Sequence, residues 1–289
     1  MAVLTQFVAL VSDSPRVSNR QIMTVSAALQ KQATRDLSPI WGINATVDAF
    51  ESVADIPVGY WPIIVTDRAV RSAGIHADGD GRPLALVQAS TDIDGWSLVA
   101  SHELLEMLVD PWGNRRYPVD SPKDGQSRVE VLVEVADPCQ HMRNGYSVNS
   151  VLVSDFYTPE FFDPVATPGR SYSRNGSVTK PRDVLPGGYM SWLDVESGDW
   201  WQLTRFGSSL DAKVSFRNLG KLSLTDGSFR AQMDSLTASI SAKAFAGGRR
   251  TVTKAGRSAN SVAQAQSAQG QRLLSFLDLR CGRQDENST

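Results

Sequence analysis

Four side chains able to hold a cation or move a proton fall within nine residues of this chain: His102, Glu103, Glu106 and Asp110. They lie in the stretch L-V-A-S-H-E-L-L-E-M-L-V-D, residues 98–110, which Pro111 closes. On a helix at about 100° per residue, the steps 102→106→110 drift only about 40° each, so His102, Glu106 and Asp110 form one stripe. Glu103 flanks that stripe. Leu98, Leu104, Leu105, Met107, Leu108 and Val109 cover most of the remaining circumference, and a helix this apolar is buried. Burying an imidazole with several carboxylates at one-turn spacing is costly, because each group loses water and like charges repel. A bound cation removes that cost in one step.

The pattern H-E-x-x-E differs by one residue from H-E-x-x-H, in which ligands at i and i+4 hold zinc and the intervening Glu activates water. His102 and Glu106 are then the paired ligands. An i, i+4, i+8 triple spans about 12 Å along a helix axis, too far for one ion about 2.1 Å from every ligand. A remote carboxylate is the better third ligand. Glu134 and Asp137, at the end of the strand pattern V-E-V-L-V-E-V (residues 129–135), are preferred over Asp110. Asp110 reads as a loop cap or as a group that orients a ligand. Zn²⁺ suits this mixture, and Mn²⁺ or Fe²⁺ is also compatible. The bland alternative is an ion-paired core in which Arg115, Arg116 or Arg128 neutralises the carboxylates.

The elements that must position these groups read as α/β. Gln6 to Ser12 is a short apolar strand. Ser18 with Gln21 has capping-box spacing before a helix from Asn19 to about Arg35, and Pro39 is expected to end it. Trp41 to Phe50, Tyr60 to Thr66 (edge or strand start, because of Pro62) and Leu84 to Ala89 read as strands. Residues 73–83 read as a glycine-rich turn carrying His76, and Asp94-Gly95 as a turn before a helix from about Trp96. The stretch after Pro111 reads as a loop long enough for a lid. Asn144-Gly145 predicts a hairpin that pairs Tyr146–Ser154 with the 129–135 strand. Tyr189 to Leu203 reads as a hairpin around Ser197-Gly198-Asp199, followed by weak strands at 214–216 and 221–224.

Domains follow as 1–168 (metal-binding), 169–187 (linker or flap), 188–245 (β-rich extension) and 246–289 (flexible tail). Residues 272–279 are one candidate helical stretch inside that tail. The 289 residues carry a formal net charge of −2, so nothing global argues for nucleic acid. Two cysteines, Cys139 and Cys281, are too few for a disulfide framework. Cys139 reads as a buried filler, and His141 beside it is not a zinc knuckle. Ser101 lacks a nucleophile-elbow context. The tryptophans near residue 200 read as core. No signal peptide or membrane span is expected, so the cytoplasm is the default location.

Over about residues 1–165 the sequence resembles the zincin metallopeptidases, through its strand order, the glycine loop at 74–81 and S-H-E-L-L-E-M-L-V-D-P on the next helix. It looks closest to a variant group pairing an H-E-x-x-E-x-x-x-D-P helix (His102 to Pro111) with an E-x-x-D-x-C segment (Glu134 to Cys139). Most zincins carry a second His where this chain has Glu106. The resemblance implies a zincin-like mixed sheet with two main helices, a zinc-ligand role for His102 and a general-base role for Glu103. The expected activity is hydrolysis of a peptide or protein by metal-activated water. The alternative is a non-catalytic protein that keeps the scaffold for binding or assembly, for example in a virion.

Overall fold

The computed structural model describes residues 4–68, 74–79, 82–206, 212–223, 227–233 and 236. The expected tail 246–289, its candidate helix at 272–279 and Cys281 lie outside the described residues.

A first sheet is built from β1 (Thr5–Ser12), β2 (Asn44–Ala49), β3 (Trp61–Thr66), β4 (Gly74–Gly79) and β5 (Arg82–Gln88), in the order β2-β1-β3-β5-β4. The strands β2, β1, β3 and β5 run parallel; β4 lies antiparallel to β5 at the edge. Interior parallel strands are buried on both faces, which is why Val8 to Val11 and Ile63 to Val65 are near-continuous apolar runs. Alternate residues serve different cores. Val8, Leu10, Ile63 and Val65 face the main core, whereas Ala9, Val11 and Ile64 pack with Val53, Ile56 and Leu86 on the other side.

Two long helices cover the main-core face. The first, α1 (Asn19–Lys31), starts with the capping box the sequence predicts, Ser18 with Gln21. Pro39 does not end the helical path. The chain runs on through a π-helical turn (Gln32–Leu37) into α2 (Ser38–Trp41), where Pro39 sits in the first turn and its missing N–H costs nothing. The strand expected from Trp41 therefore starts only at Asn44. The second long helix, α3 (Ile93–Val109), carries the His102 stretch, and Asp92 caps it by accepting from the Asp94 N–H. Asp94-Gly95 is thus the first helical turn, not a loop. From Trp96 to Val109 every residue is buried.

The π-turn locks α1 to α3. Gln32 is buried, accepts from Ser101 Oγ at 2.7 Å and donates to the Ser154 carbonyl at 2.9 Å. Ser101 Oγ in turn accepts from the Ser154 N–H at 2.9 Å. Nearby, the buried Asp36 carboxylate accepts from Arg35 (2.6 and 2.7 Å), Arg174 (2.9 Å) and Tyr146 OH (2.9 Å). Burial pushes the Asp36 carboxyl up, but the hydrogen bonds from Arg35, Tyr146 and Arg174 outweigh it and leave the pKa below its ordinary value.

A second, antiparallel sheet has the order β12-β11-β10-β7-β6. Its strands are β6 (Arg116–Asp120), β7 (Arg128–Leu132), β10 (Tyr189–Asp194), β11 (Trp200–Thr204) and β12 (Ser215–Gly220). Three expectations are corrected here. The stretch after Pro111 is not a lid: it holds β6, paired with β7. The 146–154 segment does not pair with β7. It folds on itself as β8 (Tyr146–Val148) and β9 (Val151–Val153), turning at Asn149 and Ser150, both with positive φ. Two consecutive left-handed residues are what a tight two-residue hairpin turn requires, whereas Asn144-Gly145 only ends a 3₁₀ turn. Finally, β10 pairs with β7, so β10, β11 and β12 share a sheet with β6 and β7 rather than standing apart. Tyr172, Val178 and Val184 from the expected linker are buried in the main core with Trp192.

The other expectations fare as follows. The hairpin at 189–203 is β10–β11. The weak strand at 214–216 falls at the start of β12, while residues 221–223 are not strand. Trp192 and Trp200 are buried, as read. Pro62 sits at the start of β3, but β3 is an interior strand. Residues 74–79 are the edge strand β4, with His76 opposite Ala85, rather than a turn.

Candidate metal centre

Two elements bring the candidate ligands together. Helix α3 presents His102 and Glu106 one turn apart. Beyond β7, Val133 and Val135 stay buried and Glu134 follows them in; a 3₁₀ turn at Asp137–Cys139 then folds Asp137 towards the helix. His102 Nε2 lies 3.2 Å from Glu106 Oε2 and 3.3 Å from Asp137 Oδ1. One ligand atom from each of His102, Glu106 and Asp137 falls within 4.8 Å of the others, and all three residues are buried. Ligand atoms about 2.1 Å from a tetrahedral ion stand about 3.4 Å apart, so the spacing of this nitrogen and these two oxygens fits a divalent cation. Of the two remote carboxylates weighed as third ligand, Asp137 meets the helix pair.

Glu134 stands one step further out, with Oε2 3.0 Å from Arg230 Nη1. Its Oε1 has no hydrogen-bond partner among the described residues, and neither does the buried Tyr157 hydroxyl. Burial pushes Glu134 well above the ordinary carboxyl range; the Arg230 charge opposes this, while Glu106, Asp110 and Asp137 add to it. Tyr157 is pushed up by burial and then by Glu134, Glu106 and Asp137, so its phenol stays neutral. Asp137 is raised to about 7, by burial and by Glu106 against the pull of Arg230 and His102. For His102, burial alone lowers the pKa, but the Glu106 charge and the hydrogen bonds to Asp137 and Glu106 lift it well above its ordinary value. At Glu134 and Asp137, burial and the neighbouring carboxylates act in the same direction, against Arg230. A buried, carboxylate-rich pocket with partnerless oxygens fits a cation.

Asp110 is not among the converging ligand atoms. It is the C-cap of α3, and its carboxylate accepts from the backbone N–H groups of Asn114 (3.1 Å) and Arg115 (2.8 Å). Glu103 is 2 % exposed and flanks the triad against the edge strand. A Cβ built on Gly74 would meet Glu103 Oε1 at 2.6 Å and Val99 Cγ1 at 2.5 Å. Only glycine at the start of β4 therefore allows that strand to lie against Glu103.

The arginines proposed as counter-charges from sequence are elsewhere. Arg116 pairs with Glu130, and Arg115 donates to the Val109 carbonyl. The cation in the cluster is Arg230, which the sequence reading missed. Its Nη1 lies 2.8 Å from Glu106 Oε2, 3.0 Å from Glu134 Oε2 and 3.0 Å from Asp137 Oδ2. It comes from a short helical segment, Phe229 to Met233, which Ser228 precedes, and the local sequence S-F-R-A-Q-M carries no metal or catalytic motif. The one available signal was charge accounting: a buried group of carboxylates with a single histidine demands another cation.

Cys139 is a buried free thiol. His141 does not join it in a site: its Nδ1 accepts from the Arg143 N–H at 3.1 Å and its ring packs on Gly187. Among the described residues no helix is long and apolar enough to cross a membrane. Comparison with family models, with curated proteins and with solved structures finds no match for this chain.

Proposed function

We propose that this chain is a divalent-metal-dependent hydrolase of the zincin type that acts on peptide bonds in the cytoplasm. The observation that carries the reading is the convergence of His102, Glu106 and Asp137 on one point in a buried, electron-rich pocket, with Glu103 beside it. His102, Glu106 and Asp137 would hold the ion, and zinc suits one nitrogen and two oxygens. When bound, such an ion polarises a carbonyl and acidifies a water. Glu103 takes a proton from the attacking water and returns it to the leaving amine. The edge strand β4, whose first residue abuts Glu103, offers backbone groups to an extended peptide. The test is elemental mass spectrometry of purified wild type and His102→Ala, with peptide-library turnover by wild type and Glu103→Gln. The expected result is near one equivalent of metal, lost in His102→Ala. Glu103→Gln should keep the metal and lose turnover by about 10²-fold or more. Turnover retained in Glu103→Gln sinks the assignment.

Arg230 favours a second reading. A guanidinium shared by Glu106, Glu134 and Asp137 is also what a metal-free scaffold, kept for binding or assembly (a virion component, for example), would use to neutralise its core. A folded wild type that neither contains metal nor takes it up selects this reading.

A further inference from the structure

We propose that the segment carrying Arg230 is an in-chain plug: its guanidinium holds the cation position, so divalent metal and Arg230 occupy the cluster in alternation. The proposal rests on the metal-centre reading above and adds its regulation.

The geometry makes the two occupants exclusive. Arg230 Nη1 lies 2.8 Å from Glu106 and 3.0 Å from Asp137, the two carboxylates that would take the ion. Two cations sharing those oxygens repel at short range in a buried site. The exchange is also favoured by charge. Arg230 brings one positive charge to the carboxylates of Glu106, Glu134 and Asp137. A divalent ion brings two.

Residues 227–233 belong to neither sheet. The Phe229 N–H donates to Asn114 Oδ1 at 3.1 Å, and the Arg230 N–H donates to the Gly113 carbonyl at 3.2 Å. Phe229 packs tilted at 41° against Trp200, ring centroids 4.6 Å apart, and with Met233 it joins Leu132 and Trp200 in a small cluster separate from the main core. Gly113 is shaped for this docking: it has φ +59°, and a Cβ there would meet Arg230 Cβ at 2.8 Å. Helix α3 and β7 have supports of their own, α3 against β5 and β9 and β7 between β6 and β10.

The experiment uses the full chain and zinc as the probe. Zinc affinity is measured by chelator competition on wild type, Arg230→Ala, and Arg230→Ala combined with His102→Ala. If the plugged form holds about 90 to 99 % of molecules, the apparent affinity of wild type is about 10- to 100-fold weaker than that of Arg230→Ala. The double variant should lose that binding. A second readout needs no variant. Arg230 is buried and protected from trypsin, so adding zinc should open cleavage after Arg230, seen by mass spectrometry, and His102→Ala should abolish the effect. This arm decides the matter if Arg230→Ala fails to fold. Equal zinc affinity in wild type and Arg230→Ala, with no zinc-induced cleavage, overturns the plug and leaves the metal centre standing. No zinc binding by any form overturns both.

Discussion

Two of the places where the described residues bury charge are balanced in opposite directions. At Asp36 one carboxylate receives two arginines and a tyrosine hydroxyl, and its pKa falls. At the cluster on α3, Glu106, Glu134 and Asp137 share one arginine, and the pKa values of Glu134 and Asp137 rise. The first is a closed account of hydrogen bonds that ties the π-turn to Tyr146 and Arg174. In the second, burial and the neighbouring carboxylates outweigh the pull of Arg230 at Glu134 and Asp137, a balance that the proposed divalent ion would redress.

Four substitutions test that contrast, the largest effect first. Arg230→Ala strips the guanidinium shared by three buried carboxylates and should cost about 3 kcal/mol or more of stability with chelator present. Zinc should restore the loss, and urea unfolding with and without metal measures both. Asp36→Asn should cost roughly 2 kcal/mol at pH 7, because charged hydrogen bonds are lost while the half-exposed Arg35 and Arg174 remain hydrated. Its pH dependence has a definite sign. The folded pKa of Asp36 is depressed, so its contribution is present above the unfolded value near 3.8 and disappears as pH falls through the lower folded value. The penalty of Asp36→Asn should therefore shrink below about pH 4. Metal addition should leave it unchanged.

Ser101→Ala leaves the Gln32 amide oxygen and the Ser154 N–H without their partner. It should cost about 1 to 2 kcal/mol by thermal unfolding, sharpening the contrast by showing what fixes α3 apart from charge. Glu134→Gln should change stability by less than about 1 kcal/mol, or raise it, because a side chain already pushed towards its neutral form gains little from ionisation. A large loss in Glu134→Gln would mean that this group is balanced like Asp36, and the distinction between the two regions would fail.

Particular residues show how far the sequence could be read. Helix α3 was legible because Leu, Met and Val around His102 and Glu106 leave no polar face, and Asp137 was reachable because the 129–135 alternation ends just before it. The capping box at Ser18 was local and therefore visible. Pairing was not. Asn144-Gly145 carries the stronger hairpin signal, yet the turn falls at Asn149-Ser150, because the side chains that decide register come from α3 and α1, which pack on β9. The π-turn was hidden for a similar reason: Gln32 and Asp36 look like surface helix residues until Ser101, Tyr146 and Arg174 arrive from elsewhere in the chain. Arg230 lies 124 positions from Glu106, beyond any local pattern.

That separation has a consequence for synthesis. A ribosome adding about 5 to 20 residues per second needs about 6 to 25 s to pass from Glu106 to Arg230, a span of 124 positions. Through that interval the nascent chain carries its acidic helix with the guanidinium not yet made. Under the proposed metal-centre reading, a cation from solution has that interval in which to reach His102 and Glu106 before Arg230 exists.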